Sequence, residues 1–334
     1  MTEGIEVDFL PVGEGEHSGD AIAIRWRQGD AYRVMVYDGG TAQYGEKLVA
    51  HIKTHFGSSH VDFLVNSHPD NDHAGGLAYV IENMTVGQVW MHRPWVHSSK
   101  ILQYFKDGRI TDESLEKRLK QKMAAAYRLE QAALARNVPI YEPFAGSSIG
   151  VFKVLSPTKE RYVHELIASF EKSPELKKES ALEAIFDFGR KMAQYIADAW
   201  DAELLPDDVC TSAENESSAI LFAPLSGRGV LLTGDAGIDS LKLASAYAAS
   251  LGIHLPSAVR FIQIPHHGGR HNVSTIALDL VVGERLPQSQ SSFDRYAWVS
   301  ASSGASRHPK RIVTNAFARR GFNVGQTKGT SICY

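Results

Sequence analysis

The segment from Asn66 to Gly76 reads NSHPDNDHAGG, and it places His68, Asp70, Asp72 and His73 within six residues. It follows the apolar run VDFLV directly. Imidazoles and carboxylates are the ligand types that hold Zn²⁺ and Mn²⁺, and a larger carboxylate share favours harder ions such as Mg²⁺. A solvated turn accounts well for one isolated Asp or His. It accounts poorly for His-x-Asp-x-Asp-His arriving off an apolar strand. Two later places repeat the pattern: VLLTG runs into Asp235, and RFIQIP runs into His266, His267 and Gly268. Strand ends that meet at one edge of a sheet can share an ion, so the three places together point to a metal site.

The elements that must carry these residues alternate in type. IEVDFLPV (5–12), AIAIRWR (21–27) and YRVMVY (32–37) read as strands broken by glycine turns. Residues 44–56 have helical spacing, 61–66 a buried strand, 75–81 a short helix and 86–92 another strand. Strands return at 138–155, at SSAILFAPL, GVLLTG and AVRFIQIP, and at YAWVSA, with helices over 239–251 and 309–320 and a last strand near 322–333. This is an α/β pattern. The blocks 98–136, charged and rich in Ala, and 159–201, with apolar residues at helical spacing, both read as helical. They read as insertions within one domain spanning 1–334, forming a solvent-facing cover, with a lid or a partner-docking surface as the alternative.

The chain has 334 residues, 43% hydrophobic and 22% charged, as in soluble globular proteins. A net charge of −3 excludes a generally basic nucleic-acid binder. Charge is uneven, however. From Arg295 to Tyr334 there is no Asp or Glu against seven Lys or Arg, a segment able to attract phosphate. Cys210 and Cys333 lack metal-type spacing and read as free thiols in a reducing compartment. No signal peptide and no bilayer-length apolar run is visible, so the expectation is a cytoplasmic protein without a membrane partner.

These motifs resemble the metallo-β-lactamase superfamily, which carries a His-x-His/Asp-x-Asp-His motif, a later Asp and a final His. One branch is especially similar: the soluble hydrolase domain of ComEC-type competence proteins. VGEGEHSGDAIAI before VMVYDGG resembles its opening hairpin, with a short insertion between Gly13 and Asp20. NSHPDNDHAGGL, LLTGDAG, IPHHGG, SASSGASRHPKRIVTNAFARRG and the final GTSI resemble it too. The resemblance implies an αββα sandwich, two sheets face to face with helices outside. It implies two divalent ions (Zn²⁺ or Mn²⁺, with Mg²⁺ possible). His68 and Asp70 would hold one and Asp72 and His73 the other; Asp235 would bridge them, and His266 or His267 would complete the second site. The chain departs from the pattern twice. Asp70 stands where many members have His. The segment SAENESS (212–218) lacks the His that many members carry there, which leaves Glu214, Glu216 or water to fill the gap.

Two ions a few ångströms apart acidify a water between them and take up charge on phosphoryl or carbonyl oxygens. Asp72, Asp235 and His308 are the expected catalytic residues. Asp72 would orient the attacking water, and His308 would bind a phosphate oxygen or protonate a leaving group. Lys310 and Arg311, at a helix start, would hold substrate phosphate. The expected activity is that of a metal-dependent phosphodiesterase, first of all a nuclease, since the competence branch is associated with nuclease activity. Few aromatics interleave with the basic residues, so binding would rest on backbone charge rather than base reading. The alternatives are a phosphodiesterase for a small ester, such as a cyclic nucleotide or a phosphocholine ester, and an effector hydrolase gated by a protein partner in a larger complex such as a DNA-defence assembly. A diiron oxidoreductase lacks its flavin partner domain here, and β-lactam hydrolysis lacks a secretion signal.

Overall fold

Apolar runs such as AIAIRWRQ, whose first four residues are all buried, form strands. In the computed structural model, which describes residues 4–104, 110–170, 203–225, 227–287 and 294–334, they assemble into two seven-stranded sheets. The first runs in the order Ile332–Cys333, Ile5–Phe9, Ala21–Gln28, Ala31–Gly39, His60–Val65, Thr85–Trp90, Ile140–Tyr141. The second runs Phe322–Gln326, Arg295–Val299, Val259–Gln263, Arg228–Leu232, Ile220–Leu225, Phe152–Ser156, Ser148–Ile149. One apolar cluster draws on both sheets and contains Phe9, Trp26, Phe152, Phe261 and Trp298. A second joins the first sheet to its helices through Leu48, Leu77, Leu115 and Leu129. A third does the same for the second sheet through Leu241, Leu278 and Phe317. The layers are therefore helix, sheet, sheet, helix.

Parallel pairing fixes where the chemistry falls. Ala31–Gly39, His60–Val65 and Thr85–Trp90 are parallel neighbours, so Asp38, the His68 loop and His92 emerge on one side. Arg228–Leu232, Val259–Gln263 and Arg295–Val299 are also parallel, so Asp235, His266 and the 300–308 loop emerge together.

Block 98–136 is more than a cover. Among its described residues, the helix Asp112–Lys122 starts at a Thr111 capping box, and Leu115, Leu119, Leu129 and Ala133 are buried in the first helical core. Of block 159–201, Tyr162, Leu166 and Phe170 pack into the same core; residues 171–201 lie outside the described residues. The strand expected near 322–333 is two strands in different sheets. The turn at Thr327–Thr330, with positive φ at Lys328 and Gly329, carries the chain from one sheet to the other. No helix among the described residues is long and apolar enough to cross a membrane.

Candidate metal centre

The strand His60–Val65 ends against its neighbour, with the Asn66 N–H on Trp90 O at 2.8 Å. After Pro69, the one-turn helix Asn71–Ala74 swings Asp72 and His73 back toward His68. The turn closes tightly: a Cβ on Gly76 would run into the carbonyl oxygen of Gly39.

Asp38 sits behind the motif, buried and in the left-handed region at φ 62°. It accepts from the Ser67 N–H (2.7 Å), from Ser67 Oγ (2.6 Å) and from Asn66 Nδ2 (3.3 Å), and it faces His73 Nδ1 at 2.9 Å. Ser67 Oγ spends its proton on Asp38, so it accepts from His68 Nδ1 at 2.9 Å. Both imidazoles therefore carry hydrogen on Nδ1 and turn Nε2 the other way.

Asp235 faces those two nitrogens. Its backbone is set by Ser218 Oγ, which accepts its N–H, and by Gln263 Oε1, which accepts from Thr233 and Gly234. Oδ1 of Asp235 lies 3.3 Å from His73 Nε2, and Oδ2 lies 3.8 Å from His68 Nε2. His68 Nε2 is 3.6 Å from Asp70, and Asp72 is 3.9 Å from His73 Nε2 and 3.6 Å from His267 Nε2. Ligand atoms sharing one ion at bonds of about 2.1 Å stand about 3–4 Å apart. His68 Nε2, His73 Nε2, His267 Nε2 and Asp235 Oδ1 are buried without any hydrogen-bond partner. Each such atom is costly to leave unpaired. His68, His73 and Asp235 form one group able to hold an ion, and Asp72, His73 and His267 another. Asp20, Asp38 and His73 also lie close, but His73 presents its bonded Nδ1 there, so this third group is internal hydrogen bonding.

The electrostatics ask for positive charge. Burial opposes ionisation of Asp235, yet His73, His266 and His267 hold its carboxyl well below the usual range. Burial likewise opposes a charged His73, and Asp235, Asp38 and Asp72 outweigh it to push the imidazole well above its ordinary value. His267 rises to about 9 against burial, through Asp235 and Asp72. Asp72 falls to about 2 against burial, through His73 and His267. Protons supply here the charge that a divalent cation would supply.

The structure thus gathers His68, Asp70, Asp72, His73, Asp235 and His267, with His266 on the far side of Asp235, its Nε2 3.8 Å from Oδ2. Of the two adjacent imidazoles, it is His267 that stands with Asp72 and His73. Glu214 and Glu216 do not fill the gap expected near 212–218. Glu214 pairs with Lys122 at 2.7 Å, and Glu216 is tied to Ser240 and Arg161. His308 is half-buried beside His266, with ring centroids 6.4 Å apart. Burial and the neighbouring Lys310 lower it to about 4, so it is neutral at pH 7. Lys310 precedes the helix Arg311–Ala318, its N–H on Gly268 O.

The basic segment needs correction. Arg320 is fully buried, paired with Glu203 at 2.9 Å and Asp279 at 2.6 Å, and Arg319 is buried beside it. Arg295 bonds three backbone carbonyls and lies over the Phe322 ring. These three cations hold the C-terminal helix and strands together rather than facing a substrate.

Sequence reasoning did not single out Asp38, Asp20, Gln263 or Asn272 as site residues. Asp20 accepts from Gln263 Nε2 at 2.6 Å, while its other oxygen is buried and unpaired. The available signal was a lone carboxylate at the end of an apolar strand, as in VYDGG.

Residues 15–166, a little under half of the chain, match the family model described as Metallo-beta-lactamase superfamily. That segment is similar to the metallo-β-lactamase superfamily, and the two facing sheets with outer helices agree with the metallo-β-lactamase fold. No curated protein matches the chain. Among solved structures, the metallo-beta-lactamase fold protein YhfI from Bacillus subtilis is 9% identical, with 99% of this chain and 98% of that chain covered and a TM-score of 0.42. The metallo-β-lactamase MIM-1 from Novosphingobium pentaromativorans is 12% identical, with 93% and 86% covered and a TM-score of 0.33. The hydrolase AbOPH is 12% identical over 65% of this chain, at a TM-score of 0.34, and the chain spans 56% of its length. At these identities the likenesses bear on neither substrate nor residue roles.

Proposed function

We propose that this chain is a metal-dependent hydrolase of phosphodiester bonds, acting on nucleic acid. The observation that carries the metal reading is the gathering of unpaired, buried His68 Nε2, His73 Nε2 and His267 Nε2 with Asp235 Oδ1 and Asp72. His68, Asp70, Asp72, His73, Asp235 and His267 would hold a pair of divalent ions. Such ions supply Lewis acidity and an acidified water. Asp235 offers one oxygen to each side and so sets the spacing of the two groups. The Asp72 carboxylate, more than a third exposed, stands where it can orient an attacking water. Neutral His308 donates a hydrogen bond to a phosphate oxygen, and Lys310 and Arg311 supply positive charge nearby.

Two features support a strand of nucleic acid as substrate. The likeness of the three motifs to the competence-protein hydrolase domain is one. The other is the outer rim, where the side chains of Asp70, Asp72 and His266 are 44%, 37% and 38% exposed in front of buried imidazoles. A rim open in this way admits a long polyanion. The test uses metal-stripped protein supplied with Mn²⁺, Mg²⁺ or Zn²⁺, against single-stranded DNA, duplex DNA and bis-p-nitrophenyl phosphate. Metal-dependent DNA cleavage is expected. Turnover of the small ester alone would move the substrate to a small phosphodiester, and no turnover of any of them would remove the reading.

A further inference from the structure

His266 repeats a pattern that the two buried imidazoles of the motif define. Its Nδ1 lies 2.6 Å from Asn272 Oδ1. The orientation of that amide is fixed, because Asn272 Nδ2 donates to the backbone oxygens of Asp235 (2.8 Å) and Ala236 (3.4 Å). Oδ1 is therefore the acceptor, and the ring hydrogen sits on Nδ1. The Asn215 Nδ2 contact at 3.3 Å is secondary, since that amide also donates to Thr211 Oγ1 at 3.0 Å. What remains is Nε2, turned toward Asp235 and 3.8 Å from its Oδ2. That is the spacing of two ligand atoms that share one ion. The same relation holds between His68 Nε2 and the same Oδ2, also at 3.8 Å.

The backbone gives an independent sign. His266 and His267 are consecutive non-glycine residues in the left-handed region, at φ 48° and 52°. One such residue is uncommon, and two in succession persist only where the surroundings demand them. The effect is to send two neighbouring rings to opposite sides of Asp235: His267 to Asp72 at 3.6 Å, and His266 to Oδ2. The segment 212–218, which borders the His266 side, offers no imidazole of its own.

Resting on the metal-hydrolase reading, we propose that the adjacent imidazoles serve different ions: His267 acts with Asp72 and His73, while His266 acts at Oδ2 of Asp235, the oxygen that also faces His68. Asn272 is a positioning residue for His266, as Asp38 is for His73. Partners of this kind typically change metal affinity about 10–100-fold.

The experiment titrates metal-stripped protein with Co²⁺, reading bound equivalents and the visible absorption of the ion. Wild type should take up two equivalents. His266→Ala should keep one tight ion, bind the other about 10-fold or more weakly, and change the visible spectrum. Asn272→Ala should fall between the two. His267→Ala should lose the other ion, with a different spectral change. Two equivalents with wild-type affinity and spectrum in His266→Ala would overturn the proposal, whatever happened to turnover, and would make His266 a substrate contact. A wild type that binds no Co²⁺ would instead bring down the metal-hydrolase reading itself. Circular dichroism of the metal-free variants checks folding. His266→Asn, whose side chain tolerates the left-handed backbone, carries the same test should the alanine variant fail to fold.

Discussion

The two sheets deliver their imidazoles to the centre by different means. On the first sheet, His68 and His73 are fully enclosed, and a chain of hydrogen bonds through Ser67 and Asp38 fixes their tautomers. On the second, His266 is open on one side and held by a single amide, and it shares with His267 a backbone forced into the left-handed region. Burial and charge preorganise the first half; backbone strain preorganises the second. The first half resists change because every group has a partner behind it. The second is held against a local preference of the chain.

Asp235, from the second half, faces both buried imidazoles of the first as well as His266, so removing it should have the largest effect. Asp235→Ala should lower turnover at least about 10³-fold, roughly 4 kcal/mol, while circular dichroism stays native. Retained turnover would show that the halves do not act as one centre. Next comes a change that bears on the second half's framework. Arg320→Ala leaves buried Glu203 without its main partner and should destabilise the protein by about 3–5 kcal/mol, read by denaturant unfolding. A cost near zero would mean that solvent reaches the pair. The first half is probed by Asp38→Asn, which keeps shape and tolerates φ 62° but offers His73 a weaker acceptor. Metal affinity should fall about 10–100-fold, and an unchanged titration would deny Asp38 its role.

Acid should expose the first half's dependence on burial. His92, just past the strand Thr85–Trp90, is held neutral by burial, its pKa lowered to about 3. The unfolded chain takes up the proton near pH 6.5 and the folded one does not. Stability therefore rises with pH between those values and is lost as pH falls below about 6.5, by about 1.4 kcal/mol per unit. His92→Phe should flatten that slope in unfolding measured from pH 7 to 5; an unaltered slope would place the acid lability elsewhere. The smallest effect concerns strain. Metal-free His266→Gly should be about 1 kcal/mol more stable than His266→Ala, whereas an alanine variant equally stable would mean that the left-handed backbone at His266 stores nothing.

The sequence made the first half legible because its ligands are adjacent: NSHPDNDHAGG announces itself by order and spacing. The layers could be read from alternation and from helical spacing, and the family match over 15–166 covers that same half. The second half was only partly legible. IPHHGG showed two imidazoles but not which way each turns, because that depends on two φ angles and on Asn272. Asp38 and Asp20 were not marked as site residues because a carboxylate placed behind a ligand has no periodicity of its own. The run of basic residues misled for a related reason. Charge is visible in a sequence, but the burial of Arg319 and Arg320 against Glu203 is a long-range event. The split of the final strand depended on a turn at Lys328 and Gly329 that apolar content alone hides.

The last strand, Ile332–Cys333, pairs with Ile5–Phe9, with Asp8 opposite Cys333 and Phe9 opposite Ile332. That pairing closes a loop of nearly the whole sequence. Such a closure carries a large entropic cost and is slow to find. Assembly should therefore finish late, after the second sheet has docked and the chain has turned back at Thr327–Thr330. Until then the strand Ile5–Phe9 is an open edge, able to pair with another molecule. During synthesis, the interval between the emergence of residue 9 and that of residue 333 is a window of aggregation risk. The order of the chain, rather than its stability once folded, sets how long that window stays open.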